Sequence, residues 1–500
     1  MHAYPRSGHW PEYPTAGHTG TEDAEPLVAH RIPDEKAVIR FFRHYIPRNL
    51  LLLLLFESAV LGGAIYLGVN ARFHDTGVIP ADLQPLLPKA LTFVAVMLGL
   101  MTASGLYDLE WQGGVRALLQ RIGLSFGLGL LAMSLLFYFI PALLVGRGAF
   151  LLSLGIALLG ILLSRALFVG WARTGALKSR ILVLGTGSRA SHIETLLAKC
   201  GHASNAQVVG YLPMGGSHHF VDHGRILDSE EPLSELVSRL QISEIVLAVR
   251  DRRGGVPMQE LLKCKLQGVR VLELSSFFER ENGHLELDSM NPSWMILSEG
   301  FHQGMLRDTA KRLFDLVVSA AILAVSLPVM MLAALLIKLE SPGPVLYRQE
   351  RVGQGGRAFV ILKFRSMCVN AEKDGKPLWA RQNDSRVTRT GRFIRRTRID
   401  ELPQIFNVFF GDMSFVGPRP ERPYFVEDLA QKIPYYGVRH TVKPGITGWA
   451  QVRYPYGATD EDAKHKLQYD LYYVKNHSLF LDLMILFQTA QVVLWGKGVR

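Results

Sequence analysis

The sequence predicts a multi-domain membrane protein: a four-helix transmembrane bundle, a Rossmann-like α/β domain, and an α/β domain anchored by a re-entrant membrane helix. Three observations predict it. Four apolar runs crowd into residues 46–172. A strand, a glycine turn and alternating helices and strands fill 178–276. A fifth apolar run, broken by Pro328, opens a segment at 309–500 dense in Gly, Pro, Arg and acids. Composition agrees. Of 500 residues, 48% are hydrophobic and 20% charged, and the net charge is +11. Mean hydropathy is +0.15. A basic, apolar chain suits an anionic membrane surface or phosphate-bearing ligands. Cys200, Cys264 and Cys368 lie too far apart for a disulfide scaffold or a zinc ribbon.

Residues 1–45 are expected to be a disordered cytoplasmic tail. The first thirty are rich in His, Pro, Gly and acids and have no apolar core. No signal peptide is expected, because no short apolar run precedes a small-residue cleavage site. His2, His9, His18 and His30 lack metal-ligand spacing.

The apolar runs lie at about Leu50–Val69, Ala90–Leu106, Ile122–Ile140 and Phe150–Trp171. Each approaches the ~20 residues that cross ~30 Å of hydrocarbon as a helix. Only Glu57 and Arg165 put charge inside them, and such groups should face the bundle or snorkel. Arg31, Lys36, Arg40, Arg43 and Arg48 precede the first run. Arg116 and Arg121 separate the second and third, and Arg173, Lys178 and Arg180 follow the fourth. The other loops carry only Arg72, Lys89 and Arg147. Cation placement therefore predicts a cytoplasmic N-terminus and cytoplasmic domains after the fourth span.

The middle domain opens with a strand from Ser179 and a turn at Gly185-Thr-Gly187-Ser-Arg-Ala190. Glycines there let backbone N–H groups approach a pyrophosphate. Further strands are predicted at Gln207–Leu212, Glu244–Ala248 and Val269–Leu274. The second ends without the acid that would hold ribose hydroxyls, so a structural or regulatory domain competes with a nucleotide site. Residues 277–308 read as a linker.

The fifth run, within 311–339, has Pro328 at its middle and cations at both ends. Proline removes a backbone hydrogen bond and kinks a helix. A helix-break-helix that enters one leaflet and returns fits both features. A full crossing is the alternative.

Five segments follow: Ser341–Gly353, Lys363–Met367, Arg395–Gln404, Gly411–Pro420 and Lys443–Val452. Lys363 follows a strand at Phe359–Leu362, and the last two segments read as loops. In Asp400-Glu401-Leu402-Pro403, Asp400 is expected to cap a helix that Gly411 ends. Adjacent helical carboxylates point ~100° apart, which suits two tasks. One can attack phosphorus and the other can hold Mg²⁺. Arg386, Arg389, Arg392, Arg395, Arg396 and Arg398 form a basic stripe upstream, and guanidinium forks fit phosphate. A capping acid pair beside a solvated cationic face is the simpler alternative. Nucleic acid is not an expected partner, because the stripe adjoins a membrane element. Cys368 reads as a packing residue, with no histidine partner evident. A final apolar stretch, Leu479–Trp495 with Lys497 and Arg500, reads as an interfacial helix or a core helix.

Across these five motifs the chain resembles the bacterial sugar transferase family, the monotopic phosphoglycosyl transferases. Its layout resembles the large subgroup, the exopolysaccharide polyprenyl glycosylphosphotransferases. The resemblance implies an enzyme of the bacterial inner membrane with its catalytic domain in the cytoplasm. It implies transfer of a sugar-1-phosphate from a UDP-sugar to undecaprenyl phosphate, with UMP released through a covalent phosphosugar-aspartate. The catalytic residues it implies are Asp400 as nucleophile, Glu401 as Mg²⁺ ligand, and Lys363 and Arg365 around them. Substrate-binding positions would be Arg395, Arg396, Arg419, Pro444, Gly445, Thr447 and Gln451. A homodimer is also implied. One departure stands: small members carry Ser-Pro at the helix break, whereas Leu327-Pro328 stands here.

Overall fold

The computed structural model describes residues 38–495 except 42–43, 75–79, 81–82, 108–113, 173–177, 201–205, 215–218, 229, 250–255, 291–294, 297, 299, 302–303, 369–385, 456 and 458. The tail histidines, Arg31, Lys36, Arg43, Arg173, Lys497 and Arg500 lie outside the described residues.

Strands β1 (Val38–Phe41) and β2 (His44–Pro47) form an antiparallel hairpin. The expected disordered tail therefore does not extend to residue 45. His44 is held by tertiary contact: its Nδ1 lies 2.8 Å from the Tyr472 hydroxyl, and its ring meets Trp449 edge-on. A local sequence reading has no access to such a partner.

Four apolar helices follow: α1 (Arg48–Phe73), α2 (Leu86–Ala103), α3 (Val115–Phe139) and α4 (Arg147–Ala172). Each is long and apolar enough to cross a membrane. Their shared core includes Leu61, Ile65, Phe93, Met97, Ile122, Phe126, Phe150 and Ile161. Gly68 lets α1 meet the Ser153 backbone of α4 where a Cβ would collide, the usual use of a small residue between membrane helices. The two intramembrane charges find each other. Arg165 Nε lies 2.7 Å from Glu57 Oε1, and Ser164 and Tyr107 also donate to that carboxylate.

The middle domain is a parallel sheet in the order β4-β3-β5-β6. Its strands are β3 (Ser179–Leu184), β4 (Ala206–Leu212), β5 (Glu244–Leu247) and β6 (Arg270–Glu273). Helices α5 (Ser188–Cys200), α6 (Leu233–Arg239), α7 (Met258–Leu266) and α8 (Leu274–Asn282) complete it. The glycine turn is engaged by its own chain. The Thr186 hydroxyl lies 2.9 Å from His219 Nδ1, and Phe220 N–H donates to the Thr186 carbonyl.

The expected linker at 277–308 is packed instead. Phe277 and Phe278 on α8 belong to the middle-domain core. Leu285, Leu287 and Met290 belong to the core of the C-terminal domain. Glu279 of α8 accepts from Lys475 at 2.7 Å and from Asn476 at 2.8 Å, all three nearly excluded from solvent. Apolar residues spaced through polar sequence gave no periodic signal.

The C-terminal domain opens with α9 (Met305–Glu340), a 36-residue apolar helix with Pro328 inside. Next come antiparallel β7 (Leu346–Val352) and β8 (Ala358–Phe364). Then follow α10 (Arg389–Arg396), a single 3₁₀ turn at Ile399–Glu401, and α11 (Gln404–Phe410). Strands β9 (Ser414–Val416) and β10 (Gly445–Thr447) pair in parallel. Helices α12 (Pro423–Lys432), α13 (Trp449–Arg453), α14 (Asp460–Asn476) and α15 (Leu479–Trp495) close the fold. Leu481 and Ile485 place α15 in the domain core, and Gln491 donates to the Thr102 carbonyl at the end of α2. Thus α15 joins the domain to the bundle.

Candidate active site

Strand β8 and helix α11 are fastened together by one side chain. Asn407 accepts from Leu362 N–H at 3.0 Å and donates to the Val360 carbonyl at 2.7 Å. That clamp brings Lys363 to the acidic pair. Asp400 is not the helix cap that local sequence implied. It sits inside the 3₁₀ turn, which Arg398 enters in the left-handed region at φ 60. Helix α11 starts four residues later at Gln404, and Gly411, at φ 100, ends it as expected.

The two carboxylates have different environments. Glu401 Oε1 lies 3.1 Å from Lys363 Nζ, 3.4 Å from Arg419 and 3.9 Å from Arg398. Burial pushes its pKa up, but Lys363, Arg419 and Arg398 outweigh that and hold it at about 2. Asp400 Oδ1 is buried and has no hydrogen-bond partner among the described residues. Burial, then repulsion from Glu401, pushes the Asp400 carboxyl up to about 6. Burial, with nearby Arg419, also lowers the Lys363 ammonium. Glu401 is thus ionised near neutral pH and tied down, while Asp400 titrates at about 6 with Oδ1 unpartnered among the described residues.

Both face an open cavity of about 1030 Å³, at the upper end of the ~300–1,000 Å³ typical of ligand pockets. Its lining carries ten Lys and Arg residues against six Asp and Glu, so it favours an anion. Lys363, Arg365, Arg395, Arg419, Thr447 and Gln451 all line it. Pro444 lines a small neighbouring cleft with Arg419. Gly445 is buried in β10, where its N–H donates to the Pro418 carbonyl. Arg396 is exposed on α10 and is not among the lining residues. A helix turns side chains through ~100° per residue, so adjacent arginines cannot share a face.

Arg365, besides lining the cavity, is bonded to the end of a helix. Its guanidinium donates to the carbonyls of Ile337, Ser341 and Pro342 and to the Ser341 hydroxyl. These groups lie at the C-terminal end of α9, whose last carbonyls have no partner within the helix. Arg365 therefore positions the membrane helix. Cys368 is exposed and lines the cavity rather than packing.

Sequence reading missed the supports behind these groups. Arg439 donates to the Arg419 carbonyl and the Tyr436 hydroxyl and pairs with buried Asp470 at 2.7 Å. Nothing local marks Arg439 as a partner of Arg419 and Asp470, twenty or more positions away.

Glu401 is the residue here that could hold a magnesium ion. Mg²⁺ is commonly held by one or two carboxylates plus substrate phosphates. The three cation contacts of Glu401 all fall on Oε1, which leaves Oε2 for a metal. No group of three or more His, Cys, Asp or Glu is clustered for a metal among the described residues.

Comparison with known proteins agrees with this geometry. A family profile described as "Bacterial sugar transferase" matches residues 306–496. The chain is 41% identical over 288 residues to a UDP-N-acetylgalactosamine-undecaprenyl-phosphate N-acetylgalactosaminephosphotransferase of Aeromonas hydrophila. That match covers 57% of this chain and 65% of the relative. It is 47% identical over 222 residues to a UDP-glucose:undecaprenyl-phosphate glucose-1-phosphate transferase of Escherichia coli (strain K12), covering 44% of this chain and 48% of the relative. It is 43% identical over 197 residues to the exopolysaccharide production protein PSS of Rhizobium leguminosarum bv. phaseoli, covering 38% of this chain and 97% of the relative. The chain thus spans less than two thirds of the first two relatives and nearly all of the third.

Proposed function

Because the chain belongs to the bacterial sugar transferase family, we propose that it moves a sugar-1-phosphate from a UDP-sugar to undecaprenyl phosphate and releases UMP. One observation carries the reading: the unpaired Asp400 Oδ1, set in a cavity dominated by Lys and Arg. Asp400 attacks the sugar-bearing phosphorus of the donor. A bond forms between Oδ1 and that phosphorus, the bond to the bridging oxygen breaks, and UMP leaves with the electron pair. A phosphate oxygen of undecaprenyl phosphate then attacks the same phosphorus, and the aspartate is released. Two displacements at one centre predict ping-pong kinetics.

Burial makes the Asp400 carboxylate poorly solvated and so more reactive, while a pKa of about 6 leaves it mostly ionised at pH 7. Lys363, Arg395 and Arg419 bind and orient the donor phosphates. Glu401 would hold Mg²⁺, which when bound offsets charge on the diphosphate.

The membrane placement follows the same reading. The catalytic domain faces the cytoplasm of the bacterial inner membrane, in line with the cation distribution around α1–α4. A re-entrant α9 is supported by its tethers. Near its start, Arg312 donates to the Val408 and Phe409 carbonyls, and Asp315 accepts from Ser414 and Phe415. At its end, Glu340 accepts from Arg389 and Thr390 N–H. Both ends thus contact one domain. The helix runs unbroken from Met305 to Glu340 through Pro328. The return to one side of the lipid would therefore come from a bend at Pro328 and not from the helix-break-helix that the sequence suggests. A homodimer completes the proposal, and light scattering of the purified protein measures it.

The test uses purified protein with Mg²⁺, undecaprenyl phosphate and a panel of UDP-sugars, scored for UMP. Wild type should release UMP and Asp400→Asn should not. Labelled donor should leave a phosphosugar on the peptide carrying Asp400. UMP release undiminished in Asp400→Asn removes Asp400 as the nucleophile.

A further inference from the structure

The cavity wall also includes α15, an element outside the five motifs. Thr489, Leu486 and Val492 contribute to the lining from that helix. The Thr489 hydroxyl donates to the Ile485 carbonyl one turn back, at 2.7 Å. The same oxygen lies 2.7 Å from Thr447 Oγ1. A threonine hydroxyl has one proton and two lone pairs. With its proton committed to Ile485, Thr489 is the acceptor, so the shared proton belongs to Thr447. The Thr447 hydroxyl, itself mostly buried, then turns only lone pairs to the cavity.

A second acceptor lies on the same wall. Gln451 donates from Nε2 to the Ile446 carbonyl at 3.2 Å. That contact fixes which end of the amide is which, and it leaves Oε1 buried without a partner. Thr447 and Gln451 stand on consecutive elements, β10 and α13. Both side chains line one cavity. Thr447 offers it lone pairs, and Gln451 offers it an Oε1 with no partner among the described residues.

We propose that Thr489 is a positioning residue that fixes Thr447 as a hydrogen-bond acceptor, and that Thr447 and Gln451 together recognise an N–H or O–H of the nucleotide sugar. The proposal rests on the transferase reading above. The recognised group is neutral, either a hydroxyl or amide of the sugar or the imide N–H of uracil. The charged residues elsewhere in the cavity hold phosphate but cannot make this distinction. The position of Thr489 is itself secured by the bundle, because Gln491 on the same helix donates to the Thr102 carbonyl of α2 at 2.7 Å.

Thr489→Val removes the acceptor while keeping shape, and Thr489→Ser keeps the hydroxyl. Calorimetry in detergent reads affinity for UDP-glucose, UDP-N-acetylgalactosamine and UMP, and UMP release reads turnover. The loss of one neutral hydrogen bond should weaken UDP-sugar binding about five-fold in Thr489→Val. KM should rise in parallel, kcat should stay within about two-fold, and Thr489→Ser should match wild type. Weakening shared by UMP assigns the contact to uracil, and weakening confined to UDP-sugars assigns it to the sugar. Unchanged affinity in Thr489→Val, or an equal defect in Thr489→Ser, overturns the proposal. Failure of the transferase reading shows separately, as UMP release that survives Asp400→Asn or is absent from wild type, and the calorimetric comparison still decides the role of Thr489.

Discussion

Replacing Asp400 by Asn should abolish turnover and stabilise the fold, and the gain should depend on pH. The folded carboxyl titrates at about 6 against an ordinary value of 3.8. Each pKa unit is worth about 1.4 kcal/mol, so carrying the ionised group costs the folded state at most about 3 kcal/mol. Residual solvent access reduces this, and about 2 kcal/mol is a fair expectation. The folded state binds more protons than the unfolded chain between pH 3.8 and about 6. Stability from this site is therefore greatest below 3.8, falls as pH rises through that window, and levels off above about 6. Asparagine has no such dependence. The melting difference between Asp400→Asn and wild type, read by thermal shift in detergent, should be near zero at pH 4. It should reach roughly 4–8 °C at pH 8 for a domain of this size. A difference that does not change with pH, or an Asn variant that melts lower at pH 8, would refute the argument that Asp400 is a strained, unpaired charge.

The first half-reaction, followed as UMP release without lipid acceptor, should fall about ten-fold per pH unit below about 6 as Asp400 protonates. A flat profile from pH 5 to 7 contradicts an ionised nucleophile. Asn407→Ala should destabilise by about 3 kcal/mol, since it strips partners from two backbone groups of β8. Chemical denaturation measures this. Lys475→Met should destabilise by roughly 3–5 kcal/mol by leaving buried Glu279 without its cation. The double variant with Glu279→Gln should recover part of that loss, and denaturant midpoints for the set show whether it does.

Much of the architecture was legible because it rests on local periodicity. Apolar runs near twenty residues long announced α1–α4, and Pro328 marked the special character of α9. The alternation of strand and helix from Ser179 gave the parallel sheet to within a residue or two at most boundaries. Short elements were not legible. Strands β9 and β10 have three residues each, too few for a period, and read as loops. The Asp-Glu-x-Pro signature looked like a helix start, yet the chain makes a 3₁₀ turn first, since Arg398 takes a left-handed conformation that no local rule required.

The site divides in the same way. Adjacent acids among arginines singled out Asp400 and Glu401 in the sequence, and the family resemblance added Lys363 and Arg419. Their assignment to separate roles depended on three-dimensional neighbours. Glu401 is held low by cations from residues 363, 398 and 419, while Asp400, one position away, has no partner for Oδ1. Arg365 and Arg396 carry the same guanidinium as Arg395, yet one ties off a helix end and the other faces away from the cavity. The sequence by itself determined which segments seek lipid and which residues can handle phosphate, because hydropathy and ionisability belong to each side chain. Only the tertiary structure decided which carboxylate is free, which cation is spent on structure, and that α15 and the β1–β2 hairpin close on the same domain. Those are contests for partners among groups tens to hundreds of residues apart, and only folding brings the competitors within reach.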